Sequence, residues 1–311
     1  MPLKNFEKMT TYRSNGKLLL TAEYVVLDGA KALALPTKLG QSLTIEPLME
    51  SKLYWKSIDY SGNIWFENEL SVNSLISSFN HTEESISKRL FEILVSAKQL
   101  NPIFLNNGGY KISTCLDFPK NWGLGSSSTL INNIATWANI DAYELLKLTF
   151  GGSGYDIACA QHNNPIIYRK NKLDDSKTIK SISFNPVFKE NLFFIYLNRK
   201  QDSRDGIKHY NANKNNLAPI ITEINTITDQ IICTKTLSEF EALVTKHESI
   251  ISSIINLPPV KSTLFYDYSG TIKSLGAWGG DFIMATGSLA DMDYFIKKGY
   301  TSIVPYDKMI L

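Results

Sequence analysis

A short segment rich in glycine and serine, Gly123-Leu124-Gly125-Ser126-Ser127-Ser128, directly precedes an apolar stretch with helical spacing. A helix that begins at such a turn places unpaired backbone N–H groups and the positive end of its dipole at one point. The glycines let an anion approach the backbone closely, and the serine hydroxyls can bind phosphate oxygens or a magnesium ion. No lysine follows the last glycine, so this is not a Walker A loop. The segment is a candidate phosphate-binding loop, and a plain helix cap is the alternative.

A carboxylate further along the chain lies in the run Gly152-Ser153-Gly154-Tyr155-Asp156. Its small residues allow a sharp turn, which would deliver the side chain of Asp156 into a crowded place at the beginning of a helix. The simpler interpretation is that Asp156 stabilises the helix by interacting with its dipole. The run is therefore a second candidate for chemistry.

Two further features have ordinary interpretations when each is taken alone. The run Gly276-Ala277-Trp278-Gly279-Gly280-Asp281 separates two predicted strands and has the composition of a tight hairpin. Lys17 follows Asn15-Gly16 at the entrance of the first apolar strand, and Glu23-Tyr24 comes shortly after that strand. A lysine there is normally a solvated surface residue, unless a carboxylate or a phosphate faces it.

Composition limits the class of protein that carries these features. The chain has 311 residues, enough for two lobes, and its 43% apolar and 20% charged residues are ordinary for a globular protein. The formal net charge is +2 and no basic cluster is dense, so no nucleic-acid partner is expected. The three cysteines, Cys115, Cys159 and Cys233, form no CxxC pair, which argues against a disulfide framework or a zinc site.

The sequence also indicates where the protein acts. The first residues lack the apolar core of a signal peptide, and no apolar run approaches the roughly 20 residues that span a bilayer. We therefore expect a cytoplasmic protein that has no membrane partner. The sequence leaves open whether the chain forms a homodimer.

Hydrophobic spacing predicts the elements that must position the four features. The first third is rich in short β-prone runs, followed by a helix over 83–100 and a strand over 110–115. Helices are predicted after the glycine-serine segment (130–138), after Asp141 and over 156–161, and strands over 166–168 and 182–184. The second part begins with an apolar strand, Leu192 to Leu197. It continues with the remaining predicted elements, which are helices over 212–235 and 237–255, strands over 268–275, 282–285 and 302–304, and a helix over 290–297.

Taken together and in this order, the four features resemble the motifs of the GHMP kinase superfamily, named for galactokinase, homoserine kinase, mevalonate kinase and phosphomevalonate kinase. The run from Gly16 to Gly29 and its continuation Ala32-Leu33-Ala34-Leu35-Pro36 are similar to the family's first motif. Pro119 to Ser128 matches the second motif, P-x-x-x-G-L-G-S-S-A, at every position but the last. The runs that end at Asp156 and at Asp281 resemble the catalytic-aspartate segment and the third motif, K-x-x-G-A-G-G-G-D. The resemblance covers nearly the whole chain.

The resemblance implies an α+β, two-lobe GHMP kinase fold. Residues 1–187 would form an ATP-binding N-terminal domain like domain 2 of ribosomal protein S5, and residues 188–311 a ferredoxin-like C-terminal domain. It further implies a magnesium-dependent transfer of the ATP γ-phosphoryl group to phosphomevalonate or mevalonate, in the isoprenoid precursor pathway.

Residue roles follow from the same resemblance. Residues 123–128 would bind the ATP phosphates, with Ser126 or Ser127 on Mg²⁺ and Glu144 as a further metal ligand. Asp156 would accept the proton of the substrate hydroxyl, and Lys17 would lie between that carboxylate and the γ-phosphate. Substrate would be bound by a set of polar, aromatic and glycine residues: Glu23, Ser153, Gly154, Tyr155, Arg204, Gly279 and Gly280.

One departure from the family pattern and two alternatives accompany this assignment. Trp278 stands where the third motif has glycine, so this loop is expected to close differently over phosphates. A diphosphomevalonate decarboxylase of the same fold also uses ATP and an aspartate, and the Gly-Ser-Gly-Tyr-Asp run argues mildly against it. A non-catalytic ligand-binding protein of this fold is disfavoured because Lys17, Ser126 and Asp156 are all present.

Overall fold

A computed structural model describes residues 8–73, 85–200, 203–276 and 278–311; the side chains of residues 203–205 are not described. The chain divides into two compact units. The first unit comprises the residues up to Gly16, together with Leu39–Lys120 and Gly125–Gln161. The second unit comprises Lys17–Lys38, Asn121–Leu124 and His162–Leu311. Each unit therefore draws on separate parts of the chain, and the predicted domain boundary at 187/188 stays a prediction.

The first unit packs helices against a mixed sheet. Its elements are β1 (Thr10–Leu19) and β2 (Ala32–Leu48), which also give residues to the second unit, then β3 (Lys52–Ile58), β4 (Ile64–Ser71), α1 (Ile86–Leu100), β5 (Gly109–Leu116), α2 (Ser126–Ala138), α3 (Ala142–Thr149) and α4 (Tyr155–Gln161). The strand order in this unit is β4-β3-β5-β2. β5 runs antiparallel to β2, with Gln41 opposite Leu116, and parallel to β3.

The core of the first unit lies between the sheet and helices α1 to α3. Alternate residues of the strands, among them Leu43, Leu53 and Ile112, are fully buried and meet the apolar face of α1. The helix ends are fixed by short side chains. Ser85 accepts the Lys88 N–H at the beginning of α1, and Asp141 accepts the Tyr143 N–H at the beginning of α3. This packing sets the direction of the helices that carry the candidate site residues.

The second unit contains a separate four-stranded sheet of order β11-β8-β10-β9. The elements that follow the first unit along the chain are β6 (Ile166–Lys170), β7 (Lys177–Ser181), β8 (Leu192–Tyr196), α5 (Ser203–Asn213), α6 (Leu217–Cys233), α7 (Leu237–Ile255), α8 (Val260–Leu264), β9 (Ile272–Leu275), β10 (Phe282–Thr286), α9 (Asp293–Lys297), β11 (Ile303–Pro305) and α10 (Tyr306–Met309). All strands of this sheet pair antiparallel. Every residue of β8, β9 and β10 is buried, so the sheet forms part of the interior of the unit.

Two predicted elements were wrong, both for local reasons. The predicted strand over 182–184 does not form, because β6 and β7 pair as a hairpin whose register ends at Ile166 opposite Ser181. The helix predicted over 212–235 is two helices, α5 and α6, since Asn216 adopts the left-handed conformation with φ 43°. The three cysteines are free.

Candidate functional site

In the second unit, Lys17 lies at the beginning of the glycine-serine segment. Its Nζ donates to the Gly123 carbonyl at 2.7 Å, and its backbone N–H donates to the Leu124 carbonyl at 3.0 Å. Gly276 is close to the same ammonium group, since a Cβ built on it would lie 3.9 Å from Lys17 Nζ. The structure therefore brings together three of the features that the sequence singled out.

Asp281 explains why residue 123 is glycine. A Cβ on Gly123 would lie 2.3 Å from Asp281 Oδ2, and Gly123 has φ 67°. Asp281 itself adopts φ 51°, and its backbone N–H and carbonyl bond to Arg199 and Leu197. The end of the 276–281 turn is therefore fixed against the beginning of the glycine-serine segment.

We expect Gly123→Ala to lower the free energy of unfolding by about 2–4 kcal/mol, because both a left-handed conformation and a steric clash are imposed on the alanine. Gly279→Ala is the matched control. Gly279 has φ 85°, but nothing lies within 4 Å of its built Cβ. The control substitution should therefore lower the free energy of unfolding only by the cost of a left-handed backbone conformation, about 1–2 kcal/mol. Urea denaturation measures both variants, and equal losses would contradict the role assigned to Asp281.

In the first unit, the glycine-serine segment continues into helix α2. Gly125 is the N-cap residue and has φ 91°. Because glycine has no side chain, it cannot accept hydrogen bonds from the first backbone N–H groups of the helix. The Ser128 hydroxyl donates to the Gly125 carbonyl at 2.9 Å and is buried. Ser126 is half-buried and Ser127 is exposed. The arrangement fits an anion at the helix N-terminus, with the hydroxyls of Ser126 and Ser127 at the accessible side.

A buried polar network holds α2 and α4 together in the first unit. Ser14 Oγ donates to Asn133 Oδ1 at 2.7 Å and accepts from Asn132 Nδ2 at 2.9 Å. Asn132 Oδ1 in turn accepts from Gln161 Nε2 at 2.8 Å, at the end of α4. Because an unpaired buried polar group is costly, the buried part of this network ties Ser14 to α2, and the part-buried bond from Gln161 links α4 to it.

Asp156 is half-buried in the first turn of α4. Its Oδ1 accepts the Ile157 N–H at 3.1 Å. Burial raises the pKa of the nearby Tyr143 phenol, and the charges of Asp141 and Asp156 raise it further. The carboxylate of Asp156 thus lies close to a buried phenol.

The turn before Asp156 is built as predicted from small residues. Gly151, Gly152 and Gly154 have φ of 67°, 103° and 89°, in the region that favours glycine. Ser153 is buried and Tyr155 is half-buried. This turn delivers the chain into α4 with Asp156 in its first turn.

The metal and anion residues predicted outside this loop stay predictions. Glu144 is exposed in the first turn of α3. Across residues 8–73, 85–200, 203–276 and 278–311, no three His, Cys, Asp or Glu side chains converge as a metal site would require. Arg204 belongs to α5, and its side chain lies outside the described residues.

Trp278, the departure in the third motif, is buried in the second unit. Its backbone N–H donates to the Tyr24 hydroxyl at 2.9 Å, and its indole N–H donates to the Pro258 carbonyl at 2.9 Å. The two hydrogen bonds therefore anchor Trp278, and Gly279 and Gly280 follow it along the chain.

Glu23 is only 1% exposed, and its carboxylate accepts from the fully buried Lys273. His247 and Glu248 of α7 contact the same two residues. The sequence analysis did not single out these three partners as functional, although Lys273 opens the third motif. Ionisable residues on the buried side of the otherwise apolar helix α7 are the sequence signal that could have identified the other two.

No described helix has both the length and the apolar character needed to cross a membrane.

Comparison with known proteins gives structural matches only. No protein-family model matches the sequence, and no curated protein matches it either. A mevalonate kinase crystal structure is matched with a TM-score of 0.70 and 18% identity, over 95% of this chain and 97% of that one. The Streptococcus pneumoniae phosphomevalonate kinase bound to phosphomevalonate and AMPPNP gives 0.67 and 16%, over 95% and 98%. The Lactococcus lactis galactokinase bound to galactose gives 0.64 and 12%, over 96% and 93%. The chain therefore has the α+β fold of the GHMP kinases, as its four motifs predicted.

Proposed function

We propose that this protein is an ATP-dependent small-molecule kinase. The observation that carries the proposal is the contact of Lys17 Nζ with the Gly123 carbonyl, next to Gly276. That contact places a cation beside the first residue of the glycine-serine segment, and a cation next to a phosphate-binding segment can neutralise phosphate groups. A fold shared with three kinases of different acceptors supports the same assignment.

The phosphate-binding role rests on residues 123–128. The N-terminus of α2 supplies backbone N–H groups, and Gly123 and Gly125 allow close approach. Ser126 or Ser127 would contribute a hard oxygen ligand to Mg²⁺, with Glu144 as the proposed second ligand. When bound, Mg²⁺ would neutralise charge on the phosphate oxygens.

Asp156 and Lys17 have the proposed chemical roles. Asp156 orients the acceptor hydroxyl and takes its proton, for which a half-buried carboxylate in the first turn of a helix is suited. Lys17 offsets the negative charge that develops on the transferred phosphoryl group. Phosphoryl transfer depends mainly on positioning of the reactants and on stabilisation of charge. Asp156, Lys17 and the 123–128 segment would supply both.

Phosphomevalonate or mevalonate is the proposed acceptor. The Glu-Tyr pair at 23–24 and the Gly-Ser-Gly-Tyr-Asp run at 152–156 resemble phosphomevalonate kinases most, with mevalonate kinases second. Ser153, Gly154, Tyr155, Arg204, Gly279 and Gly280 are the proposed substrate-binding residues. A phosphorylated acceptor would need a further cation, for which Arg204 is the candidate.

An ADP-release assay with mevalonate, 5-phosphomevalonate, homoserine and galactose side by side tests the proposal. We expect ADP formation to depend on one of the first two acceptors, with a kcat/KM at least tenfold above that for homoserine or galactose. Release of CO₂ from a diphosphorylated acceptor would instead identify the decarboxylase alternative. ATP binding without ADP release on any acceptor would favour the non-catalytic binding protein.

A further inference from the structure

Four ionisable side chains form a buried cluster in the second unit. Lys273 of β9 donates to the Glu23 carboxylate, and it lies 3.2 Å from Glu248 Oε2. Glu248 also accepts from Ser274, from the backbone N–H at 3.1 Å and from the hydroxyl at 2.6 Å. Lys273 is 0% exposed and Glu23 1%. His247 completes the cluster, with Nε2 3.5 Å from Glu23 Oε2.

The charges in this cluster do not balance. His247 Nε2 accepts the Ala22 N–H at 2.8 Å, so the ring is neutral with its proton on Nδ1. Burial and the Lys273 charge accordingly hold the pKa of His247 well below its usual range. Burial alone would lower the pKa of Lys273, but the charges of Glu23 and Glu248 raise it. Two carboxylates therefore share one ammonium group.

Glu23 is the carboxylate whose pKa is raised in this cluster. Burial raises the pKa of Glu23 to about 7, even though the Lys273 charge lowers it. Glu23 Oε2 is buried and has no hydrogen-bond partner among the described residues. A buried ion pair of this kind contributes little to stability compared with apolar side chains of similar volume. Its presence calls for a role other than stability.

The backbone around Glu23 is held in an unusual conformation. Ala22 and Tyr24, its two neighbours, have φ of 67° and 62°, values that residues other than glycine rarely adopt. Such a conformation persists only where the surroundings determine it strongly. The His247 bond to Ala22 and the Lys273 bond to Glu23 are the contacts that do so.

Tyr24 connects this part of the chain to Trp278. Its hydroxyl accepts the Trp278 N–H at 2.9 Å, and its ring stacks on Tyr210 with centroids 6.1 Å apart. Gly206 of α5 leaves the room for that hydroxyl, since a Cβ there would lie 2.2 Å from it. Trp278, held in this way, precedes Asp281, which lies against Gly123. The Gly123 carbonyl accepts from Lys17 Nζ.

We propose that Glu23 and Lys273 are positioning residues, whose buried ion pair holds the Ala22–Tyr24 turn and, through the Tyr24 hydroxyl, Trp278 and the residues up to Asp281 that follow it. The effect on catalysis rests on the proposed kinase function. This role differs from the direct substrate contact predicted for Glu23, and it explains why a costly ion pair occupies the interior.

Glu23→Gln separates positioning from stability. The substitution keeps the shape of the side chain and removes one of the two carboxylates that share Lys273, while Glu248 still pairs with Lys273. We expect the urea midpoint at pH 8 to be unchanged or higher. We expect kcat for ADP formation to fall about 10- to 100-fold, with KM for ATP within about threefold of wild type.

The pH profile is an independent measure. Lys273 on β9, and Glu248 and His247 on α7, are the groups that face Glu23. Protonation of Glu23 breaks its ion pair, so wild-type kcat should fall as the pH decreases through about 7. This part of the profile should be absent from Glu23→Gln. A profile unchanged by the substitution would overturn the proposal.

Hydrogen exchange tests the positioning claim without any activity. Peptides that cover 273–281 should exchange at least tenfold faster in Glu23→Gln and in Tyr24→Phe, which lacks the hydroxyl that accepts from Trp278. Glu223→Gln, in the exposed pair of Lys246 and Glu223, is the matched control and should exchange like wild type. Unchanged exchange in both variants overturns the proposal. Faster exchange with no ADP release from wild type would instead contradict the proposed function alone.

Discussion

Asp156→Asn is expected to lower kcat by about 10²- to 10⁴-fold, the usual contribution of a general base. The variant cannot take the proton of the acceptor hydroxyl, although it keeps the size and most hydrogen bonds of the original side chain. Its Oδ1 can still accept the Ile157 N–H, so α4 should keep its first turn. KM for ATP should stay within about threefold, because the phosphate-binding segment is unchanged.

Asp141→Asn is the matched control for this substitution. Asp141 also lies at the beginning of a helix of the first unit, where it caps α3 by accepting the Tyr143 N–H at 2.8 Å. Asparagine is an equally good N-cap, so stability and kcat should both stay near wild type. Steady-state kinetics and urea denaturation of the two variants provide the comparison. If Asp156→Asn retained kcat within tenfold of wild type, its role as the proton acceptor would be untenable.

Local patterns predicted the elements whose signals are carried by neighbouring residues. Helix α7 was predicted over its full length, 237–255. Its apolar residues recur with helical spacing, and Thr236 accepts the Glu239 N–H as its N-cap. The same criterion gave a wrong prediction at Asn216. There, a single residue with positive φ separates two helices, although the apolar spacing predicts one continuous helix. A break of this kind depends on packing against other elements, which periodicity does not report.

In the candidate site, too, features formed by neighbouring residues were predictable, and contacts between residues far apart in the sequence were not. The glycine-serine segment, the turn before Asp156 and the 276–281 run were identified from composition and order, since each is continuous in sequence. The contacts between such runs were not predictable from spacing, because Gly123 and Asp281 are far apart along the chain. The role of Trp278 also became visible only in the structure, where Tyr24 and Pro258 receive its two N–H groups.

The buried cluster was missed for a physical reason. Glu23 was predicted to contact substrate because the resemblance to the GHMP kinases implied that role. Lys273 satisfies that carboxylate from a strand 250 positions away in sequence. A charged residue in an apolar run indicates that a partner exists, but it does not identify the partner. The choice between a substrate-binding and a positioning role therefore required the three-dimensional contacts.

Lys17→Met should lower kcat by about 10²- to 10³-fold, comparable with removal of one preorganised donor from a charged transition state. Methionine fills similar space without a positive charge, so negative charge developing on the phosphoryl group loses its counterpart. The Nζ bond to the Gly123 carbonyl is lost as well, which should cost about 1 kcal/mol of stability. KM for ATP should rise less than kcat falls, because the backbone N–H groups of α2 still bind the phosphates.

Two further variants separate charge from packing at Lys17. Lys17→Arg keeps the positive charge but not the point geometry of an ammonium group, so it should recover part of kcat. Lys31→Met removes a lysine of the same unit that pairs with Asp229 at 2.6 Å, away from the glycine-serine segment, and should leave kcat unchanged. Steady-state kinetics at saturating acceptor distinguish the three. An unchanged kcat in Lys17→Met would remove this lysine from the mechanism, whereas equal losses in Lys17→Met and Lys31→Met would indicate a general effect of lost charge.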